Sequence, residues 1–98
     1  MEKKQIVKEL VSLIKGCQSQ AGDTEATITA STIPIGGLKG FDSLTGVDVT
    51  MDIEIHFSLP NDPKRQSFFV ETDEKKIPRA LSIDEIAQKI QEEMSRTK

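Results

Sequence analysis

Asp42-Ser43-Leu44 holds the residues best placed to do chemistry in this chain of 98 residues. A serine that opens a helix keeps its hydroxyl in solvent, where a group can be attached to it. A phosphate on that hydroxyl would lie beside free backbone N–H groups and the positive end of the helix dipole, both favourable to an anion. Asp42 is a residue type that commonly caps a helix. Asp42 and Ser43 therefore also read as plain capping residues. Most other chemistries are short of parts. One cysteine (Cys17) excludes an internal disulfide or a cysteine-cluster zinc site, and one histidine (His56) excludes multi-histidine metal sites. Cys17 reads as a bland exposed or half-buried thiol. His56 reads as a surface or partner-facing residue.

Four regions must position this tripeptide. Residues 2–15 carry Ile6, Val7, Leu10, Val11, Leu13 and Ile14 at helical spacing, with lysines opposite and Gly16 placed as a C-cap. Residues 16–40 are a long Ser/Thr/Gly-rich loop, which Ile28, Ile33, Ile35 and Leu38 could pin to a core. Residues 41–59 follow. Residues 60–98 open on the turn cluster Pro60-Asn61-Asp62-Pro63 and include Ser67-Phe68-Phe69-Val70, a possible short extended piece. They end in a clear helix. Ser82-Ile83-Asp84-Glu85 is a capping box, and Leu81 and Ile86 form the hydrophobic staple across it. Ile83, Ile86, Ala87, Ile90 and Met94 make its apolar face. The basic residues Lys64, Arg65, Lys75, Lys76 and Arg79 read as solvated loop charges.

The third region holds two signals in conflict. From Val47 to Phe57 apolar and polar residues alternate, and β-branched types are common, as in a strand. As a helix the same residues give two apolar stripes, one of Leu44, Val47, Met51 and Ile55, the other of Val49, Ile53 and Phe57. Such a helix needs burial on both sides, and Gly46 costs it about 1 kcal/mol relative to alanine. The residues alone leave both readings open.

Thirteen Lys and Arg stand against 16 Asp and Glu, for a net charge of -3 and a pI near 5.1. That balance argues against a dedicated nucleic-acid binder and against a polybasic membrane module. The acidity has an address. Residues 41–57 contain Asp42, Asp48, Asp52 and Glu54 and no Lys or Arg, so the other 12 acids nearly balance the 13 bases. The start Met1-Glu2-Lys3-Lys4 shows no apolar run of signal-peptide length, and no stretch reaches membrane-span length. A single cytoplasmic domain, 1–98, without membrane insertion is expected.

The run Gly40-Phe41-Asp42-Ser43-Leu44, followed by Val47, Asp48, Val49, Met51, Ile53, Glu54 and Phe57, resembles the acyl carrier protein family. Residues 2–15 fit that family's first helix and residues 82–94 its last, so the resemblance covers most of the chain in order. It implies an all-α fold, an acyl-carrier-like bundle of three or four helices with long loops, and makes residues 44–57 a central helix buried on both sides. The alternative is an α+β fold with a hairpin of residues 47–57 and 67–72. Two departures, longer connections before Ser43 and between Phe57 and Ser82, mark a specialised bacterial member. The family's short third helix belongs in the second of these, where Pro78 limits any helix.

The resemblance also implies a function. The chain would be no enzyme but a carrier, with 4′-phosphopantetheine attached to Ser43 by a phosphopantetheinyl transferase and acyl groups held on its thiol as thioesters. Asp42 and Leu44 would flank the attachment point. Asp48, Asp52 and Glu54 would face basic patches on acyl-transferring or condensing enzymes of fatty-acid, lipid or polyketide-type synthesis. Val47, Met51, Ile53 and Ile55 would border the acyl chain or pack the core. A monomer is expected, with no nucleic acid among its partners. A small non-catalytic α+β interaction module and an aminoacyl or peptidyl carrier are the alternatives.

Overall fold

A computed structural model describes residues 2–20, 22, 27–38, 40–59, 67–72, 75 and 77–96, with the side chains of Ser43 and Thr72 outside that description. Helix α1 (Lys3–Gln20) turns Ile6, Leu10 and Ile14 inward at a spacing of four, and Gln18 continues the row fully buried. The helix therefore runs past Gly16, which is an interior residue and not the expected C-cap. Helix α4 (Ile83–Arg96) answers with Ile83, Ile86, Ala87 and Ile90, all at 0% exposure. These two helices form the main packed pair, and helix α3 (Ser43–His56) meets α1 more lightly. From α3 and its exit, Val49, Ile53 and Phe57 complete the core.

The start of α4 is fixed by its sequence. The Ser82 N–H donates to Glu85 Oε1 at 3.0 Å, and the Glu85 N–H donates back to Ser82 Oγ at 3.3 Å. The Ile83 and Asp84 N–H groups donate to the carbonyls of Thr32 and Ala30, both at 2.8 Å. Donors that a helix start leaves orphaned are thus satisfied from the loop before α3. That bonding, with buried Ile28 and Leu38, is what pins the loop, while Ile33 stays 43% exposed. Next comes α2 (Pro34–Gly37), a single turn in which Ile35 and Gly36 leave helical dihedrals. Gly36 has a φ of 86°, a left-handed value that glycine adopts at little cost.

The rest of the fold departs from an all-α bundle. Strands β1 (Val70–Thr72) and β2 (Pro78–Ala80) pair antiparallel, Val70 opposite Ala80 and Thr72 opposite Pro78. The molecule is mostly helical with one small two-stranded sheet. The hairpin of residues 47–57 with 67–72 is absent, because 47–56 are helical and β1 pairs with its own neighbour in sequence. No third bundle helix occurs among the described residues between Phe57 and Ser82; the turn cluster 60–63 and Lys64, Arg65 and Lys76 lie outside them. Phe69, fully buried, packs its ring against Phe41 with centroids 5.1 Å apart, which ties the approach to β1 to the residue just before the Asp42 cap.

Candidate functional site

Ser43 is the first residue of α3, and its neighbours define its setting. Gly40 turns the chain with a φ of 72°, and Phe41 is buried against Phe69. Asp42 then adopts extended backbone and caps the helix, its Oδ1 accepting the Thr45 N–H at 2.9 Å. That backbone hydrogen bond holds the Asp42 carboxyl below its ordinary value, so the cap is an anion at neutral pH. Asp42 is exposed and Leu44 is 71% exposed, so the turn around Ser43 is open to solvent on both sides. The hydroxyl of Ser43 itself lies outside the described side chains.

The rest of α3 resolves the two stripes into an inner and an outer face. Val49, Ile53 and the following Phe57 point inward. Leu44, Val47, Met51 and Ile55 point outward, at 71%, 39%, 55% and 78% exposure. This corrects the expectation that α3 is covered on both sides. Of the four acyl-chain candidates only Ile53 is in the core; Val47, Met51 and Ile55 are on the surface. Met51 and Ile55 border a shallow cavity of about 160 Å³ with Glu54 and Leu59. At about 100° per residue the acids fall on both edges of the outer stripe, Asp48 and Asp52 on one and Glu54 on the other. The face is an apolar row with an acidic rim.

A third face of α3 receives the segment 67–69. Gly46 lets it approach: a Cβ there would meet Ser67 Oγ at 3.3 Å, Ile35 Cδ1 at 3.4 Å and Phe69 Cβ at 3.5 Å. Thr50, 4% exposed, clasps it. Its hydroxyl donates to the Gly46 carbonyl at 2.8 Å and accepts the Phe68 N–H at 3.0 Å. Gly46 and Thr50 account for a helix face that no apolar pattern could reveal.

His56 and Cys17 are drawn into the junction of α1 and α3. His56 Nε2 lies 2.8 Å from Glu9 Oε1 on α1. This hydrogen bond is the largest cause of a Glu9 carboxyl held below its usual value, followed by the bond from Gln5. Cys17 is half-buried, and burial, then the nearby charges of Asp52 and Asp48, push its thiol up, which keeps it protonated and unreactive. Among the described residues no group of three or more His, Cys, Asp or Glu could hold a metal ion. No described helix is long and apolar enough to cross a membrane.

No family model, curated protein or solved structure matches the chain. The candidate site therefore stands on its own geometry. It brings together Asp42, Leu44, Asp48, Asp52 and Glu54 around the helix that Ser43 opens. It also includes Glu9 and Thr50, which sequence reasoning passed over, and Gly46, whose role it missed. Glu9 sat among the polar residues of α1 with nothing to link it to His56, 47 positions away. Gly46 read as a cost to the helix, although its place among larger residues is the mark of a close approach. Arg79, read as a free loop charge, is bound at 3.1 Å to Glu71 and 2.9 Å to Glu85.

Proposed function

We propose that the protein is a carrier of acyl groups, with Ser43 as the attachment point for a 4′-phosphopantetheine arm. The observation that carries this reading is the Asp42 cap at the head of a helix whose outer face is apolar with an acidic rim. Asp42 fixes where α3 begins, so Ser43 is its first residue, and the exposed residues on either side leave room for a modifying enzyme. The helix start favours a phosphoryl group by its dipole. The arm, when present, supplies a thiol on which cargo is held as a thioester. The chain's own part is to present that arm and to be recognised. Leu44, Val47, Met51 and Ile55 offer contact area, while Asp48, Asp52 and Glu54 steer basic patches of partner enzymes. On this reading the chain is a specialised cytoplasmic carrier, and its mostly helical fold with one small two-stranded sheet is compatible with a carrier bundle.

The test is mass spectrometry of the purified protein after incubation with coenzyme A, magnesium and a broad-specificity phosphopantetheinyl transferase. One phosphopantetheine is added to the wild type and none to Ser43→Ala. A wild-type mass that does not change overturns the reading.

A second reading, a non-catalytic interaction module, draws on the same outer face of α3, which needs nothing from Ser43 to bind a partner. It is the reading that survives if no arm is added. An aminoacyl rather than acyl cargo would leave the arm chemistry unchanged, and intact mass from the native host distinguishes the two.

A further inference from the structure

The exposed row on α3 has a definite head and foot. Val47, Met51 and Ile55 follow one another at intervals of four, which stacks them along one ridge of the helix. By position Ser43 heads that ridge, four residues before Val47. Leu59, four residues after Ile55, closes it. Ser58 takes a left-handed φ of 55°, uncommon for a residue other than glycine. The turn it makes returns the chain to the helix end, where the Leu59 N–H donates to the Glu54 carbonyl at 2.8 Å. Held there, Leu59 lines the cavity of about 160 Å³ with Met51, Ile55 and Glu54. The other sides of α3 are engaged by the fold itself. Val49, Ile53 and Phe57 pack in the core, and the Thr50 hydroxyl holds the segment 67–69 through the Phe68 N–H.

Resting on the carrier reading of Ser43, we propose that the ridge Val47, Met51 and Ile55, with the cavity at its foot, seats the cargo, and that the cargo is a short, uncharged acyl chain. Length supports this seat. From Ser43 to Ile55 the helix rises about 18 Å, at 1.5 Å per residue. A phosphopantetheine arm spans about fifteen bonds, as many as five extended residues, or roughly 17 Å. The ridge therefore ends where such an arm ends. Chemistry supports it as well. The dimethyl and ethylene parts of the arm match apolar side chains, while its amides stay hydrated on an exposed surface. At the foot, Met51, Ile55 and Leu59 suit an apolar chain, and Glu54 on the same wall opposes a carboxylated one. Cargo seated here lies on the face that Asp48 and Asp52 border, within reach of a docked enzyme.

The experiment loads the full chain, labelled with ¹³C and ¹⁵N, from coenzyme A, hexanoyl-coenzyme A or succinyl-coenzyme A, and records isotope-filtered NOEs from the arm to the protein. Hexanoyl methylenes should contact the methyl groups of Met51, Ile55 and Leu59. Succinyl, of similar reach but charged, should lose those contacts. Ile55→Gln, at an exposed position, should keep the wild-type Tm and lose the hexanoyl contacts in its loaded form. Hexanoyl contacts to Ile53 or Phe57 overturn the proposal, because the chain then enters the core. So do equal contacts from succinyl, or contacts that persist in Ile55→Gln. A Ser43 that takes no arm overturns the carrier reading and this seat with it. An arm that loads and leaves the ridge untouched overturns the seat alone.

Discussion

Helices α3 and α4 are each 14 residues long and feed one core, yet they meet water differently. The large apolar residues of α4 are used up in packing: Ile83, Ile86 and Ile90 are at 0% exposure and Met94 is packed against the core. In α3, Val49 and Ile53 are buried while Leu44, Val47, Met51 and Ile55 stay outside. Burying one such side chain is worth about 1.5–3 kcal/mol, so α3 leaves a large stabilisation unused. Single exposed apolar residues are ordinary, but here four form one continuous row along a helix. The contrast separates a helix whose apolar residues all serve the fold from one that serves it with one face and leaves the other in water.

The largest predicted effect tests that contrast directly. Ile86→Ala opens a cavity in the core and should cost about 2–4 kcal/mol in urea unfolding. Ile55→Ala, an equal truncation at a position 78% exposed, should stay within about 0.5 kcal/mol. An Ile55→Ala variant that loses as much as Ile86→Ala would mean that the outer face of α3 is packed, and the distinction between the helices would vanish.

The next effect lies on the inner side of α3, where the core is partly polar. Thr50→Val keeps the shape but removes the oxygen to which the Phe68 N–H donates, in a buried place. About 1–2 kcal/mol should be lost. The segment 67–69 should also loosen, seen as faster amide exchange at Phe68 and Phe69. Full protection at those amides in Thr50→Val would show that the segment is held by apolar packing alone, as α4 is.

These differences explain what could be read from residues alone. The helix α4 was legible to its cap because one stripe, one capping box and one staple all agree. The helix α3 was ambiguous because its outer face is apolar yet exposed, so hydrophobicity does not report burial there. Its two stripes looked like two buried sides, and its alternation looked like a strand. The end of α1 was misplaced because the row Ile6, Leu10, Ile14 continues through polar Gln18, which no apolar pattern includes. An extended piece around residues 67–72 was legible, but β2 and its pairing with β1 escaped because strands of three residues carry too little pattern to be seen. In the candidate site, Asp42 was legible as a cap. Glu9 was not, since its partner His56 lies far along the chain and meets it only after α1 and α3 pack.

The smallest effect compares how the two helices begin. The start of α3 rests on one carboxylate, Asp42, held by the Thr45 N–H. The start of α4 rests on Glu85, which caps the Ser82 N–H and also binds Arg79, with Arg79 and Lys89 joined to Glu71 as well. Arg79 first, then the Ser82 N–H, lowers the Glu85 carboxyl from 4.5 to about 2. A carboxylate depressed in the folded state adds stability that is complete above its unfolded value and disappears as pH falls to its folded value. For Glu85 that window runs from about 4.5 down to about 2. Glu85→Gln retains a side chain able to cap the Ser82 N–H and loses only the charge facing Arg79. Its Tm should therefore sit slightly below wild type at neutral pH, by a margin kept small because Glu85 and Arg79 are 39% and 57% exposed. The margin should shrink through the window and close at its acid end, and added salt should narrow it at neutral pH. A gap that stays constant with pH would mean that Glu85 acts through shape alone, which would make the start of α4 no more electrostatic than its buried face.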